Sequence, residues 1–589
     1  MKRRYIILMV LCALFGGILP VSAEETTIEA GFVDPCAIEE VMEEHLELTA
    51  WKHELVEWKI QVNVMTPMEV RVEADPLVNP LTGETLDCTV SFLEPVQANL
   101  GMGAESYAPS NVVYDRIGTQ DRYSLSAGET AWVWIRIPVE EAGSGAYYGD
   151  IRVIGDTTVT LQETIRVLPF DLNGQDLSFS LWQYPFSSLY YYEVLQGEEP
   201  FSDRHLDVLK EEMEWAKRVG VNRITCTITE EPWAHQTYYD SPSMVKWNVD
   251  GSGHLWFDYE RLDRWIRCCE SIGMNGPIDC FSILPFDEDI TVYDDMNEPF
   301  RVVLEPGSEE WNWYWEGFLY SFLNHMEENG WLDRTVFMVD ERGIPYFETA
   351  IQLVRSVPGG DRVHFGAAVN VIPRNKELYD QIDDLSVSID SLPEGDEELE
   401  TFLAERAASG LTTTMYNCST NYPNAFLNSD PCESVWSMQY MTMRGLDGYL
   451  RWALNAWPMD PRNSGDAPHF ESGDTFLIYP DEADAQNPVP EGSVRLSMIV
   501  RGLNDSKKYW VLERLVSEEE RTRLEETWSS MRRYYGTMKE YGTIGAPSME
   551  ARLSLYEDVS ANEAILSEIS SDLIKKRTTD AIRLFLTKD

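Results

Sequence analysis

Basic residues are scarce in this chain. Lys and Arg number 47 against 100 Asp and Glu, a formal charge of -53 over 589 residues. Nucleic acid and anionic membrane surfaces both call for a basic footprint, so neither is an expected partner. The same field disfavours heavily sulfated or sialylated chains at low salt. Histidine numbers only 8. No Cys-x-x-Cys occurs, so the common zinc patterns are missing. No Gly-rich phosphate loop follows a predicted strand, which argues against a nucleotide-binding sheet. After the first residues, no apolar run is long enough to span a bilayer.

The N-terminus itself has the layout of a secretory signal. Lys2, Arg3 and Arg4 precede an apolar stretch, Tyr5 to Val21, and Val21-Ser22-Ala23 is a small-residue cleavage site. Cys12 follows Leu11 rather than a small residue, unlike a lipoprotein anchor. Residues 1–23 are expected to be removed. The mature chain is then secreted or at the cell surface, with no membrane insertion after cleavage. Eight other cysteines remain, at Cys36, Cys88, Cys226, Cys268, Cys269, Cys280, Cys418 and Cys432. Their spacing is not that of a small disulfide scaffold. Cys226, Cys280 and Cys418 fall in predicted strands and read as buried small hydrophobes. A chain of this length predicts two to four domains. Its 43% hydrophobic and 12% aromatic content excludes global disorder.

From about Cys36 to Leu172 the hydrophobic period is two, within a domain expected over residues 24–172. Trp58, Ile60, Val62 and Val64 alternate with polar residues, as do Val70 with Val72 and Val133 with Ile135 and Ile137. Short half-buried strands with turns at Gly145 and Gly155 predict a β-sandwich. Ala37 to Leu48 reads as a helix. From 173 to 515 strands alternate with helices. The strands are expected at Leu177–Tyr184, Val221–Thr229, Ile278–Leu284, Thr335–Val339, Val363–Val369, Leu385–Asp390, Thr412–Cys418 and Gly448–Trp457. Eight such units predict a (β/α)₈ barrel with insertions, and a doubly wound open sheet is the alternative. Residues 516–589 are charged, with Leu553, Leu555, Ile565, Ile569 and Leu573 at helical spacing, and predict a helical appendage.

Thr335 to Gly343 reads T-V-F-M-V-D-E-R-G. It is an apolar strand ending in two carboxylates at the end of a barrel strand, where active sites lie. The other predicted strand ends supply Trp182, Tyr184, Glu230, Glu231, Trp233, Asp279, Ser282, Asn370, Asp390, Tyr416, Asn417, Asn455 and Trp457. Aromatic rings stack on sugar faces, while carboxylates and amides such as Asp390 and Asn455 bind hydroxyls. This set favours a carbohydrate. Sugar hydrolysis usually needs one acid and a second group to attack or activate water. Asp340 and Glu341 are adjacent, so in a regular strand they point to opposite faces. They share a pocket only if the strand ends or bulges there. They would then lie on one side of the reaction centre, which suits attack by the substrate's own 2-acetamido oxygen.

The sequence resembles glycoside hydrolase family 123, the β-N-acetylgalactosaminidases, from about Thr49 to Leu515. The resemblance rests on three places. The first is W-V-W-I-R-I-P-V-E with the following G-A-Y-Y-G-D (Trp132 to Asp150). The second is V-D-E at the fourth strand. The third is G-D-T-F-L-I-Y-P (Gly473 to Pro480) followed by S-V-R-L-S-M-I-V-R-G-L-N-D (Ser493 to Asp505). It implies an exported enzyme that removes β-linked N-acetylhexosamine from a glycan with retention, through an oxazoline, without metal or organic cofactor. It further implies that Asp340 orients the acetamido N–H and Glu341 is the acid/base. Tyr416 would hold the acetamido carbonyl, Asp474 would bind hydroxyls, and Trp182 and Trp457 would wall the pocket. Arg342 stands where many relatives have Pro. An inward guanidinium there would lower the pKa of Glu341, the wrong direction for a general acid. A glycosidase of other specificity and a non-catalytic carbohydrate-binding surface protein are the other readings.

Overall fold

The computed structural model describes residues 27–99, 110–175, 177–371, 376–418, 421–467, 469–481, 486–532 and 547–586. The expected signal segment lies outside them.

Two sheets face each other in the N-terminal region. One runs in the order Ile28–Val33, Leu55–Val64, Thr130–Pro138, Thr89–Asn99, Ser110–Ile117. The other runs His45–Lys52, Thr158–Asp171, Gly145–Ile154, Met68–Ala74, Arg122–Leu125. The period-two pattern does its expected work: Ile60, Val62, Val70, Val72, Val133, Ile135, Ile151 and Ile165 meet in one core. The helix expected at Ala37–Leu48 does not form. Phe32 and Glu43 exchange backbone hydrogen bonds instead, and His45–Lys52 pairs parallel to Thr158–Asp171. Leu46 and Ala50 are buried at a spacing that suits a strand's inner face but also fits a helical turn. Such a short apolar pattern is ambiguous until the sheet claims it.

The second region holds eight parallel strands. In chain order they are Ser178–Leu181, Ile224–Thr227, Ile278–Phe281, Thr335–Asp340, His364–Val369, Asp384–Ser388, Thr412–Tyr416 and Gly448–Arg451, here strands one to eight. Their spatial order is one, eight, seven, six, five, four, three, two. Among the described residues no backbone ladder joins strand one to strand two. Side chains cross that seam: the Gln183 N–H donates to Thr225 Oγ1 at 3.1 Å, and the Thr225 N–H donates to Gln183 Oε1 at 2.8 Å. At the strands' N-terminal ends Arg223 pairs with Asp279 at 2.6 Å and with Asp384 at 2.5 Å, linking strands two, three and six. Asp279 is therefore a structural ion-pair member at the opposite end of the sheet from the pocket described below.

The strands are shorter than the sequence suggests, because several apolar runs continue past the last ladder bond into rim loops. A four-stranded sheet not anticipated from the sequence is inserted after strands two and three. It comprises Lys246–Val249, Leu255–Asp258, Asp289–Tyr293 and Pro299–Val303. Its strands are brief and separated by Asp-, Asn- and Gly-rich turns, so they carry little periodic signal.

The sandwich is pinned to the second region through buried polar groups. Arg495 Nε donates to Asp115 Oδ2 at 2.9 Å, and Tyr479 donates to the same oxygen at 2.6 Å. Arg495 also donates to the carbonyls of Gly473, Phe476 and Ala425. The long motif from Gly473 to Asp505 is thus a staple between the two regions. Removing one partner strands a buried charge. Asp115→Ala is expected to cost about 3–5 kcal/mol, measured by urea unfolding; an unchanged midpoint would refute the staple.

Beyond Ser517 the described chain is helical, with Glu518–Trp528 and Met549–Leu586. Leu524, Trp528, Leu566 and Ile569 pack with Trp51, Phe170 and Leu172.

Candidate active site

Along strand four, Val336 and Met338 point to the interior aromatic cluster, while Phe337 and Val339 face the outer core. Alternation puts Asp340 on the interior side and would send Glu341 outward. The strand stops at Asp340, and Glu341 has φ of 45°. That left-handed residue turns the chain, while the Glu341 N–H still bonds Ala368 O at 2.9 Å. A positive φ on Glu costs about 1–3 kcal/mol and persists where surroundings impose it. Its effect here is to bring both carboxylates to one pocket.

Glu341 is held from two sides. Tyr416, the last residue of strand seven, donates to Oε1 at 2.5 Å. Asn370, just past strand five, donates to Oε2 at 3.1 Å. The Asp340 carboxylate accepts no hydrogen bond from the described residues, although its backbone lies in the ladder with strand five. Burial raises its pKa well above the carboxylate range, and the charge of Glu341 adds to the rise. Burial also pushes the Tyr416 hydroxyl up, with Glu341 adding to it, so this phenol stays a donor. Arg342 turns away: it donates to Glu288 Oε1 at 2.5 Å and to Phe286 O at 3.2 Å.

The floor and walls are aromatic. Trp182 lies 4.7 Å from Phe281 and 5.9 Å from Trp233, and Tyr184 lies 5.0 Å from Trp233 and 6.1 Å from Trp452, between ring centroids. Trp182 Nε1, Trp233 Nε1 and the Tyr184 hydroxyl are buried without a partner among the described residues. Buried donors are normally paired, so these three are unmet hydrogen-bonding capacity within the aromatic cluster around strand four. The Tyr184 hydroxyl is raised by burial and then by the charges of Asp340 and Glu231.

The catalytic-domain model of glycoside hydrolase family 123 matches residues 182–512. The chain belongs to glycoside hydrolase family 123. A family 123 glycoside hydrolase from Clostridium perfringens, whose structure was solved to study glycolipid glycan hydrolysis, superposes with a TM-score of 0.87 at 24% identity, over 94% of this chain and 100% of that one. A Bacteroides ovatus family 5 xyloglucanase aligns over 81% of this chain and 100% of that one, at 9% identity and a TM-score of only 0.30. No curated protein matches the chain.

In this family 123 chain the remaining expected site residues part ways. Trp182 and Tyr416 join the pocket cluster. Trp457 does not wall it: fully buried, it packs on Tyr191 and Tyr192 in the outer core and donates to Ile478 O at 2.8 Å. Strand eight ends at Arg451, and the wall residue is Trp452. Asp474 is 1% exposed, and its Oδ1 takes Arg451 at 2.6 Å and Trp452 Nε1 at 3.1 Å. It positions Trp452 rather than presenting that oxygen to solvent. Asn455 is also spent internally, accepting from the Tyr184 N–H at 2.8 Å and donating to Glu212 at 2.7 Å. Glu212 is fully buried, with a pKa pushed up to about 8 by burial. Asp390 is exposed in the turn after strand six and accepts from Asn421. Tyr184, Trp233 and Asn370 were visible as strand-end residues, but nothing in the sequence singled them out. Trp452 was hidden inside an overlong predicted strand.

Among the described residues, one carboxylate–imidazole grouping has metal-like spacing: Glu231, His235 and Asp240, within 4.8 Å. His235 and Asp240 are exposed, and Glu231 already accepts the Ser241 N–H.

Tyr416→Phe removes one of two donors to Glu341. A hydrogen bond to a charged group is worth about 1.5–3 kcal/mol, so kcat/KM is expected to fall about 10- to 100-fold. Steady-state kinetics with folded variant protein checks this.

Proposed function

We propose that this protein is an exported glycosidase that removes β-linked N-acetylhexosamine, most favourably N-acetylgalactosamine, from glycans such as those of glycolipids. Cleavage retains configuration and proceeds through an oxazoline. A curled (β/α)₈-type sheet, sealed by side chains at its seam, carries the site. The observation behind this reading is the break at the end of strand four. It puts Asp340 and Glu341 side by side in one aromatic pocket rather than across a sugar ring. Retaining enzymes with two opposed carboxyl groups hold them about 5–5.5 Å apart on either side of the bond. Two neighbours on one strand end leave the far face of the anomeric carbon to a nucleophile from the substrate.

The acetamido carbonyl oxygen attacks C1, and the C1–O bond to the leaving group breaks. Glu341 gives its proton to the departing oxygen. Asp340 accepts the acetamido N–H and stabilises the oxazolinium charge. Water then attacks C1, passes its proton to Glu341, and the ring opens. No metal or organic cofactor takes part in this scheme.

Before substrate binds, both Glu341 oxygens accept hydrogen bonds, while burial and then the charge of Glu341 hold the Asp340 carboxyl well above its ordinary range. A substrate N–H pointed at Asp340 favours its ionised form.

The test is stereochemical. Proton NMR of the first product should show the β-anomer, and a thiazoline analogue of the oxazoline should inhibit competitively at concentrations well below KM. An α-anomer as first product would eliminate the mechanism.

A further inference from the structure

Two cysteines meet at the joint between the sandwich and the second region. Cys36 sits in the turn that follows the first strand of the sandwich, Ile28–Val33. The Cys36 N–H donates to Asp34 Oδ1 at 2.9 Å, and the Ala37 N–H closes the turn on Asp34 O at 3.0 Å. Cys432 is the second residue of helix Pro431–Met443, the helix after strand seven. Both side chains are 2% exposed and share one core cluster. Their thiols are hydrogen-bond partners of each other.

Ion pairs anchor both sides of this contact. Arg501 donates to Asp34 Oδ1 at 3.4 Å and to both oxygens of Glu563 at 2.7 Å. Arg552 donates to both oxygens of Asp430, at 2.5 and 2.8 Å. Glu563 and Arg552 belong to one helix, Met549–Leu586. That helix therefore holds the segment just before each cysteine, through Arg501 on one side and directly on the other. A disulfide needs Cβ atoms about 3.5–4.5 Å apart, and two thiols in hydrogen-bond contact on anchored backbones reach that spacing with little movement. Other buried thiols are used differently. Cys268 donates to Leu206 O at 3.8 Å, and Cys280 to Ile278 O at 3.6 Å.

We propose that Cys36 and Cys432 are joined by a disulfide in the exported protein, which ties the sandwich covalently to the helix after strand seven. The proposal rests on the export reading above, because such bonds persist outside the reducing cytoplasm. One cysteine thiolate attacks the disulfide of a donor, a protein dithiol oxidase or glutathione disulfide. A mixed disulfide forms and one donor sulfur leaves. The second cysteine thiolate then displaces the other donor sulfur. The protein loses two electrons and two protons, and the donor takes up both as two thiols. Burial raises the Cys432 thiol well above its ordinary range, so thiolate is scarce in the finished fold and the bond forms while the chain folds. It closes a loop of about 400 residues, and the entropy removed from the unfolded chain grows with loop length.

The test is peptide mapping without reduction. The full chain is made with its own leader, and residues 24–589 are made behind an established periplasmic leader. Open thiols are alkylated in denaturant before digestion. Both preparations should yield one peptide pair joined through Cys36 and Cys432. Alkylated Cys36 and Cys432 in the periplasmic preparation would overturn the proposal, as would a bond from either to another cysteine. If the first preparation stays in the cytoplasm, the export reading fails, while the second still decides the pair. Melting gives an independent readout. Cys36→Ser, Cys432→Ser and the double variant should melt at one common temperature, roughly 5–10 °C below wild type, since either change removes the whole bond. Their kcat/KM should match wild type, because the pair lies in the outer core and not in the pocket cluster. Losses that add from the single variants to the double would show two separate packing defects and contradict the bond.

Discussion

Glu341→Gln is expected to abolish cleavage of glycosides with poor leaving groups and to spare good ones. The reason lies in what Glu341 supplies. An alkoxide cannot leave without a proton, and a positioned acid contributes about 10²–10⁴-fold. A nitrophenolate leaves almost unaided. kcat/KM reports only steps up to bond cleavage, so it isolates this effect from the later attack of water. Methyl or galactosyl leaving groups should therefore lose about 10²–10⁴-fold in kcat/KM, and 4-nitrophenol much less. Gln keeps the side chain's shape; its oxygen still accepts from Tyr416, and its NH2 meets Asn370, whose amide can turn to accept, so a folding defect is not expected. An equal loss with both classes of leaving group would show that Glu341 is not the proton donor.

Asp340→Asn should raise stability and destroy activity together. Asp340 is forced by burial and by Glu341 to hold its proton in the fold, whereas in the unfolded chain it ionises in the ordinary carboxylate range. A group whose folded pKa is raised binds its proton more tightly in the folded state. Its neutral form is therefore stability-neutral below the unfolded pKa. The fold is penalised progressively as pH rises from there to the folded pKa. Asn mimics the neutral form and escapes the penalty. The variant's Tm should exceed that of wild type by a few degrees at pH 7 and converge with it near pH 3–4, read by differential scanning calorimetry at both pH values; ~1 kcal/mol moves Tm by roughly 2–4 °C in a domain of 150–250 residues. Turnover should fall by about 10²-fold or more, the loss typical of a preorganised group that stabilises developing charge. A Tm lower than wild type at pH 7 would mean that Asp340 is ionised and satisfied in the native protein. Active sites commonly carry such a trade of stability for function.

Sequence patterning carried much of this architecture and some of the site. Strand four was legible because an apolar run ending in charges at a turn has few other readings. The family resemblance located the long Gly473–Asp505 motif, but its physical role came only from the coordinates. Asp474 and Arg495 spend their charges inside the protein, on Trp452 and Asp115. Sequence separates a buried acid that positions a neighbour from one that meets substrate only by burial, which it does not display. Trp457 and Trp452 illustrate the boundary problem: one is core and the other pocket wall, five residues apart in a run that reads as a single strand. Glu341's turn toward the pocket depends on one backbone angle. The two-carboxylate pattern raised that requirement and could not meet it. The inserted sheet leaves no sequence signal, because strands of four or five residues carry too few alternations to stand out.

Catalysis by the substrate's own acetamido group is the central claim, and one comparison tests it most directly. Wild-type enzyme is assayed for 4-nitrophenol release from the β-N-acetylgalactosaminide, the β-N-acetylglucosaminide and the plain β-galactoside. The account predicts turnover of the first, less of the second, and none of the third, which has the same ring but lacks the nucleophile. Comparable turnover of the galactoside would contradict it, because the pair on strand four would then have to work with a nucleophile from the protein.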